Sequence, residues 1–118
     1  MASDLTVTLQ HATGLRALVL IEGPMDFDTV TPLQEDLTAL VDAGHPRLVL
    51  DMSGVTFCDS TGLNALLRVL NHAQEHQGSV ALAAAGENLR RILAMTGVED
   101  VLIGYPTSAE AVARTPEA

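Results

Sequence analysis

Short apolar runs that fit β-strands alternate along this chain with apolar stripes that fit amphipathic helices. Leu5, Val7 and Leu9 alternate with polar residues, which is the period-two pattern of a half-buried strand. Further on, apolar residues recur at the three- and four-residue spacing of one helix face: Val30, Leu33, Leu37, Leu40 and Val41. The order β, β, α, β, α, β, α, β, α predicts right-handed crossovers and a mostly parallel sheet. We therefore expect one α/β domain over residues 1–118.

The same patterns predict five strands and about four helices. A turn at 11–14 follows the first strand, and we expect further strands at 15–21, 47–50, 80–84 and 101–103. The strand at 15–21 is expected to pair with the first strand as an antiparallel hairpin. Gly23-Pro24 is expected to end the second strand. The first helix begins near Thr31 or at Asp28, the second runs from about 63 to 76, and the third stops at Gly97. A capping box at 107–110 is expected to begin the fourth helix. The core of the domain is expected to span about residues 4–113, and the carboxyl-terminal tail after it is expected to fray.

The charge and hydropathy of the chain argue against two classes of partner. Fifteen acidic and six basic residues give a formal net charge of −9, so the chain lacks the basic face that a nucleic-acid backbone requires. No apolar run approaches the ~20 residues of a membrane span, and the amino terminus has no signal-peptide pattern. The single cysteine, Cys58, excludes an intramolecular disulfide. We expect a cytoplasmic protein that binds neither nucleic acid nor membranes.

The sequence lacks residues that several classes of enzyme or signalling domain require. The chain contains no lysine, which removes a Walker A loop, a Schiff base, a serine–lysine nucleophile and a receiver domain. A serine hydrolase needs a histidine within hydrogen-bond reach of its nucleophile, and all four histidines are expected far from Ser60. We therefore do not expect an enzyme.

His72 and His76 have the i, i+4 spacing of a metal-binding pair on a helix. The sequence shows no third ligand that would converge on them. We therefore predict that both histidines face solvent near the end of the second helix, where a positive charge is favourable. On this interpretation the chain holds no metal and no other cofactor.

The most informative segment follows the third predicted strand, at the edge of the sheet where α/β proteins place their sites. It spans residues 51–61 and contains Asp59-Ser60-Thr61 immediately before the second helix. Asp26 after the second strand and residues 87–88 after the fourth are expected at the same edge. The simplest interpretation makes Asp59 or Ser60 a helix cap that contributes ~1 kcal/mol.

Three neighbouring apolar residues are interpreted as parts of the core. Val55 and Phe57 are expected to anchor the segment, and Cys58 is expected to behave as a small buried hydrophobic residue. The alternative to a simple cap is a switch at Ser60. A serine at a helix amino terminus is exposed and can carry a phosphate, which adds about −1.5 to −2 charges to the surface.

The stretch LVLDMSGVTFCDSTGLNALL closely resembles the signature of STAS domains, in particular bacterial anti-sigma-factor antagonists. The matching residues are Asp51, Ser53, Val55, Phe57, Asp59, Ser60, Thr61, Gly62 and Leu63. A shorter family element is matched by Gly23-Pro24-Met25-Asp26. The sequence departs from the family at Asn64, where a glycine is common, and at Pro24-Met25.

The resemblance implies a partner-switching cycle. Such proteins bind an anti-sigma factor that is also a serine kinase of the histidine-kinase-like ATPase fold, and binding releases the sigma factor. The kinase phosphorylates the serine that aligns with Ser60, and a serine phosphatase reverses the modification. The implied partner surface consists of Asp26, Asp59, Ser60, Thr61, Gly62 and Asn64. The alternative is a STAS scaffold or ligand-sensing domain without a sigma-factor cycle.

Overall fold

Five strands lie side by side in the sheet in the order in which they occur along the chain. The computed structural model describes residues 4–118. Its strands are β1 (Thr6–Thr13), β2 (Arg16–Met25), β3 (Arg47–Cys58), β4 (Ser79–Ala83) and β5 (Ile103–Tyr105). Its helices are α1 (Val30–Asp42), α2 (Ser60–Glu75), α3 (Glu87–Thr96) and α4 (Ser108–Ala113). β1 is antiparallel to β2, and the other neighbours are parallel, which confirms the predicted α/β architecture.

The helices cover the two faces of the sheet unequally. On one face, the apolar stripes of α1, α2 and α3 pack on alternate residues of the central strands and form the main core. On the other face, α4 places Ala111 against Val49, Ala81 and Ala83 in a much smaller cluster. Within residues 4–118, no helix combines the length and the apolar character needed to cross a membrane.

The first two strands are longer than the sequence pattern predicts. β1 runs through the expected turn to Thr13, with a pairing irregularity between Leu9 and His11. β2 continues past Gly23 and Pro24 to Met25. Pairing with β1 ends at Glu22, so the missing N–H of Pro24 removes no hydrogen bond to β1. The prediction that Gly23-Pro24 ends the strand was therefore wrong.

The largest difference from the predicted elements concerns β3. It extends to Cys58, well beyond Leu50, and its last residues pair with β2 alone because pairing with β4 ends at Asp51. Two irregularities each give β3 one more residue than β2, first between Asp51 and Gly54 and then between Val55 and Phe57. A segment that was predicted as a loop is thus a bulged two-stranded extension of the sheet.

The end of the chain also differs from the prediction that it frays. The guanidinium of Arg16 donates to the carbonyl of Thr115 over 2.9 Å, and that of Arg47 donates to the carbonyl of Pro116 over 3.0 Å. The backbone N–H of Leu15 donates to the carbonyl of Glu117 over 2.7 Å. The tail therefore lies against the base of β2 and β3. β5 begins two residues later than predicted because a short 3₁₀ turn at Val98–Asp100 precedes it.

Candidate functional site

The predicted site residues gather where β2 and β3 end and α2 begins. Met25 and Cys58, the last residues of the two strands, are paired in the sheet. The N–H of Asp59 then donates to the carbonyl of Met25 over 3.3 Å, which holds the start of α2 against the end of β2. Asp26 directly follows Met25, so the structure places Asp26 and Ser60 at the same edge of the sheet, as the sequence predicts.

Asp59, not Ser60, caps α2. The carboxylate of Asp59 accepts a hydrogen bond from the N–H of Gly62 over 3.0 Å, and its backbone is extended, as an N-cap residue requires. Ser60 is the first residue of the helix and is exposed. Within residues 4–118, the Ser60 hydroxyl makes no hydrogen bond to another protein group. Because the cap is already supplied, the hydroxyl is left free for another role.

Gly62 holds the helix close to the strands. A Cβ at this position would lie 2.6 Å from the carbonyl oxygen of Met25 and 3.0 Å from Sγ of Cys58. Only a glycine lets the first turn of α2 approach the end of β2 this closely. Gly62 is buried, so its prediction as a residue of the partner surface needs correction: it positions its neighbours and has little surface of its own.

The remaining predicted surface residues differ in exposure. Thr61 is half-buried, whereas Asn64, one turn into α2, is exposed on the same side as Ser60 by helical spacing. The side chain of Asn88, in the first turn of α3, accepts a hydrogen bond from the N–H of Cys58 over 3.1 Å. This hydrogen bond holds α3 against the end of β3. Asn88, one of the two residues predicted at this edge, therefore has a structural role.

Asp26 opens a tight turn that leads into α1. Its carboxylate accepts from the N–H of Asp28 over 3.0 Å, and its own N–H donates to the hydroxyl of Thr29 over 2.9 Å. The Thr29 hydroxyl in turn donates to the carbonyl of Pro24 over 2.8 Å. Because this network fixes the backbone, the half-buried Asp26 carboxylate has a defined position at the edge of the site.

Two exposed phenylalanines flank the site, and the sequence analysis identified neither as a surface residue. Phe27 is 79% exposed and Phe57 is 48% exposed. Phe57 was predicted to anchor the core, but its neighbour Cys58 faces inward, so Phe57 points to the opposite side of the strand. Exposed aromatic residues are typical anchors of protein interfaces. The exposure of Phe27 could have been predicted from its position between Asp26 and Asp28 in a polar turn.

Cys58 behaves as a packing residue, as predicted. Its side chain is buried, and burial together with the nearby Asp59 carboxylate raises the pKa of the thiol from 9.0 to about 11. The thiol therefore stays protonated at neutral pH and is a poor nucleophile. Unlike Cys58, Ser60 is exposed at this edge.

Comparison with known proteins identifies the family of the chain and agrees with its fold. Residues 6–111 match the model of the STAS domain family. The anti-sigma-B factor antagonist of Staphylococcus aureus is 25% identical over 84 residues, which cover 71% of this chain and 78% of that protein. A solved anti-sigma factor antagonist from Mycobacterium paratuberculosis is 28% identical, with a TM-score of 0.83 and coverage of 94% of this chain and 93% of that one.

A transporter is also among the relatives. The Schizosaccharomyces pombe protein named "Probable sulfate permease C320.05" is 30% identical in an alignment 128 residues long, and the alignment covers 86% of this chain. This chain spans 19% of the length of that permease. The likeness therefore concerns one domain of a much longer protein. On the family match, the fold and these relatives together, the chain belongs to the STAS domain family and is similar to its anti-sigma factor antagonists.

Proposed function

We propose that this protein is an anti-sigma factor antagonist that acts in the cytoplasm as a binding protein rather than an enzyme. Its partner is an anti-sigma factor that is also a serine kinase of the histidine-kinase-like ATPase fold. Binding of the unmodified protein releases a sigma factor, phosphorylation of Ser60 ends the complex, and a serine phosphatase resets the cycle. Similarity to the antagonists of Staphylococcus aureus and Mycobacterium paratuberculosis supports this assignment.

One observation carries the proposal: the free hydroxyl of Ser60 at the amino end of α2. Because Asp59 caps the helix, Ser60 has no structural hydrogen bond to lose when a kinase modifies it. The helix amino end can also accommodate a phosphate, since its first N–H groups have no partner within the helix. The site thus allows modification without unfolding of the domain.

The surface around Ser60 supports a switch that works by charge. Phe27 and Phe57 supply exposed aromatic area for a partner, whereas Asp26, Asp28 and Asp59 make the same edge acidic. A partner that covers this edge needs donors or cations that match the unmodified surface. A phosphate at Ser60 adds about −1.5 to −2 charges, which must lose water on binding and which the partner surface does not match.

Mass spectrometry tests the proposed modification. The purified protein is incubated with ATP and with each anti-sigma kinase encoded near its gene, and the modified residue is located in the intact chain and its peptides. We expect one phosphate on Ser60, unchanged in Thr61→Ala and absent in Ser60→Ala. Phosphate on Thr61 instead would contradict the assignment of the acceptor. Stable binding of such kinases without phosphate transfer would favour a STAS scaffold.

A further inference from the structure

We propose that Asp42, His72 and His76 form a binding site for a divalent cation of the zinc type at the carboxyl end of α2. Each side chain offers one ligand atom, and the three atoms all lie within 4.8 Å of one another. The sequence shows the histidine pair but no third ligand. The structure supplies it from α1, so the expectation that the pair has no converging partner was wrong. This inference does not rest on the function proposed above.

The packing of two helices brings the three residues together. His72 lies in the last turn of α2, and His76, four positions later, is the cap residue that directly follows the helix. Two histidines at this spacing bind one zinc ion in helical metal sites. Asp42 is the last residue of α1, which packs along α2. Its Oδ1 lies 2.7 Å from Nε2 of His72. An acid and an imidazole from different helices therefore already face each other.

The second nitrogen of His76 has a partner that leaves its Nε2 available for a metal. Nδ1 of His76 lies 3.0 Å from the carbonyl oxygen of His72 and donates to it, which leaves the lone pair on Nε2. Nε2 of His72 faces Oδ1 of Asp42 over 2.7 Å, whereas its Nδ1 lies 4.0 Å from Oε1 of Glu75, too far for a hydrogen bond. An outer contact such as that of His76 orients the imidazole ligand of a metal site.

The electrostatics of this region favour a cation. α1 ends at Asp42 and α2 ends at Glu75, so two helix carboxyl ends, each with partial negative charge, meet here. The carboxylates of Asp42 and Glu75 add formal negative charge. Two nitrogens and one oxygen suit zinc, which binds such ligands at about 2.0–2.2 Å, whereas magnesium prefers oxygen ligands alone. Three protein ligands leave one tetrahedral position for water or for a group of a partner.

A simple ion pair is the competing explanation. Without a cation, protonated His72 would pair with Asp42 and link α1 to α2. The Asp42 side chain is 59% exposed, and exposed pairs of this kind contribute little to stability. In this explanation, His76 has no role beyond the hydrogen bond from its Nδ1 to the carbonyl of His72. His76 therefore distinguishes the two explanations, because only a metal site needs its Nε2.

Calorimetric titration of ZnCl₂ into the metal-free full-length chain tests the site. We expect one zinc ion per chain, reversal by EDTA, and a melting temperature that rises with zinc but not with MgCl₂. His76→Ala and Asp42→Asn are expected to weaken zinc binding roughly tenfold or more, as loss of a contact at a metal site does. His76→Gln serves in the same role if His76→Ala fails to fold, as judged by circular dichroism.

His11→Ala is the matched control, since His11 is exposed on β1 and its ring forms hydrogen bonds only with Thr13 within residues 4–118. The control should bind zinc as the unmodified chain does. Zinc binding that His76→Ala leaves unchanged would overturn the proposal, as would the absence of stoichiometric binding. In either case the His72–Asp42 contact would be an ion pair between helices. Equal loss of binding in His11→Ala would show that zinc binds non-specifically to surface histidines.

Discussion

The two ends of α2 differ in how their side chains are used. At the amino end, the backbone of the helix is held by Asp59 and by the close approach of Gly62 to Met25, and the exposed Ser60 takes no part in that support. At the carboxyl end, the side chains themselves make the contacts, as His72 reaches Asp42 of the neighbouring helix. At the amino end of α2, the residues that support the helix differ from the candidate functional residue, Ser60. At the carboxyl end, His72 has both roles.

This difference has a consequence for mutation. At the amino end, a change at Ser60 should alter partner binding while the stability of the domain stays the same, because Asp59 and Gly62 hold the start of α2 in place. At the carboxyl end, a change at His72 removes a contact between helices and a proposed metal ligand together. A residue that is reversibly modified must sit where the fold does not depend on its side chain, as at the amino end, since both forms must stay folded.

Gly62→Ala should have the largest effect on stability. The added Cβ would lie 2.6 Å from the carbonyl oxygen of Met25, so α2 or β2 must move. We expect the free energy of unfolding, measured by urea denaturation, to fall by about 1–3 kcal/mol, the usual cost of overpacking. Gly86→Ala is the matched control, because a Cβ there meets no atom within 4 Å. Equal effects of the two changes would mean that the amino end of α2 is not held by close packing.

Asp59→Ala and Ser60→Ala separate the cap from the proposed switch. The first removes the hydrogen bond to the N–H of Gly62 and should lower the free energy of unfolding by about 1 kcal/mol. The second removes an exposed hydroxyl without a protein partner and should change it by less than about 0.5 kcal/mol. Thermal and urea denaturation of the two variants measure both values. A larger loss for Ser60→Ala than for Asp59→Ala would reverse the assignment of the cap.

The sequence predicted the order and number of the strands and helices because their apolar spacing is local. It also predicted that Asp26 and Ser60 share an edge, which follows from the parallel arrangement of β2 and β3. The predicted N-cap of α4 formed, with the Thr107 hydroxyl accepting from the N–H of Glu110 over 3.1 Å, whereas the return bond of a full capping box is absent from the described residues. The strands, the helices and this cap depend on residues within a few positions of one another, and the shared edge follows from the order of those elements.

The features that sequence reasoning missed depend on contacts between distant residues or on irregular backbone. Residues 51–58 were predicted as a loop rather than as part of β3, so the exposure of Phe57 was not inferred from the alternation of a strand. Arg16 and Arg47 hold a tail that lies about a hundred and about seventy positions further along the chain. Asp42 lies thirty positions before His72, and only the packing of α1 on α2 makes it a neighbour.

The affinity of two Ser60 variants for the anti-sigma kinase tests the central claim most directly. Ser60→Asp and Ser60→Ala are compared with the unmodified protein in the presence of nucleotide, with circular dichroism to show that all three are folded. We expect Ser60→Ala to bind as the unmodified protein does, and Ser60→Asp to bind roughly thirtyfold more weakly or worse, since disruption of a desolvated interface contact costs ~2 kcal/mol or more. Equal binding of the Asp and Ala variants would contradict the account and leave Ser60 an ordinary first residue of α2.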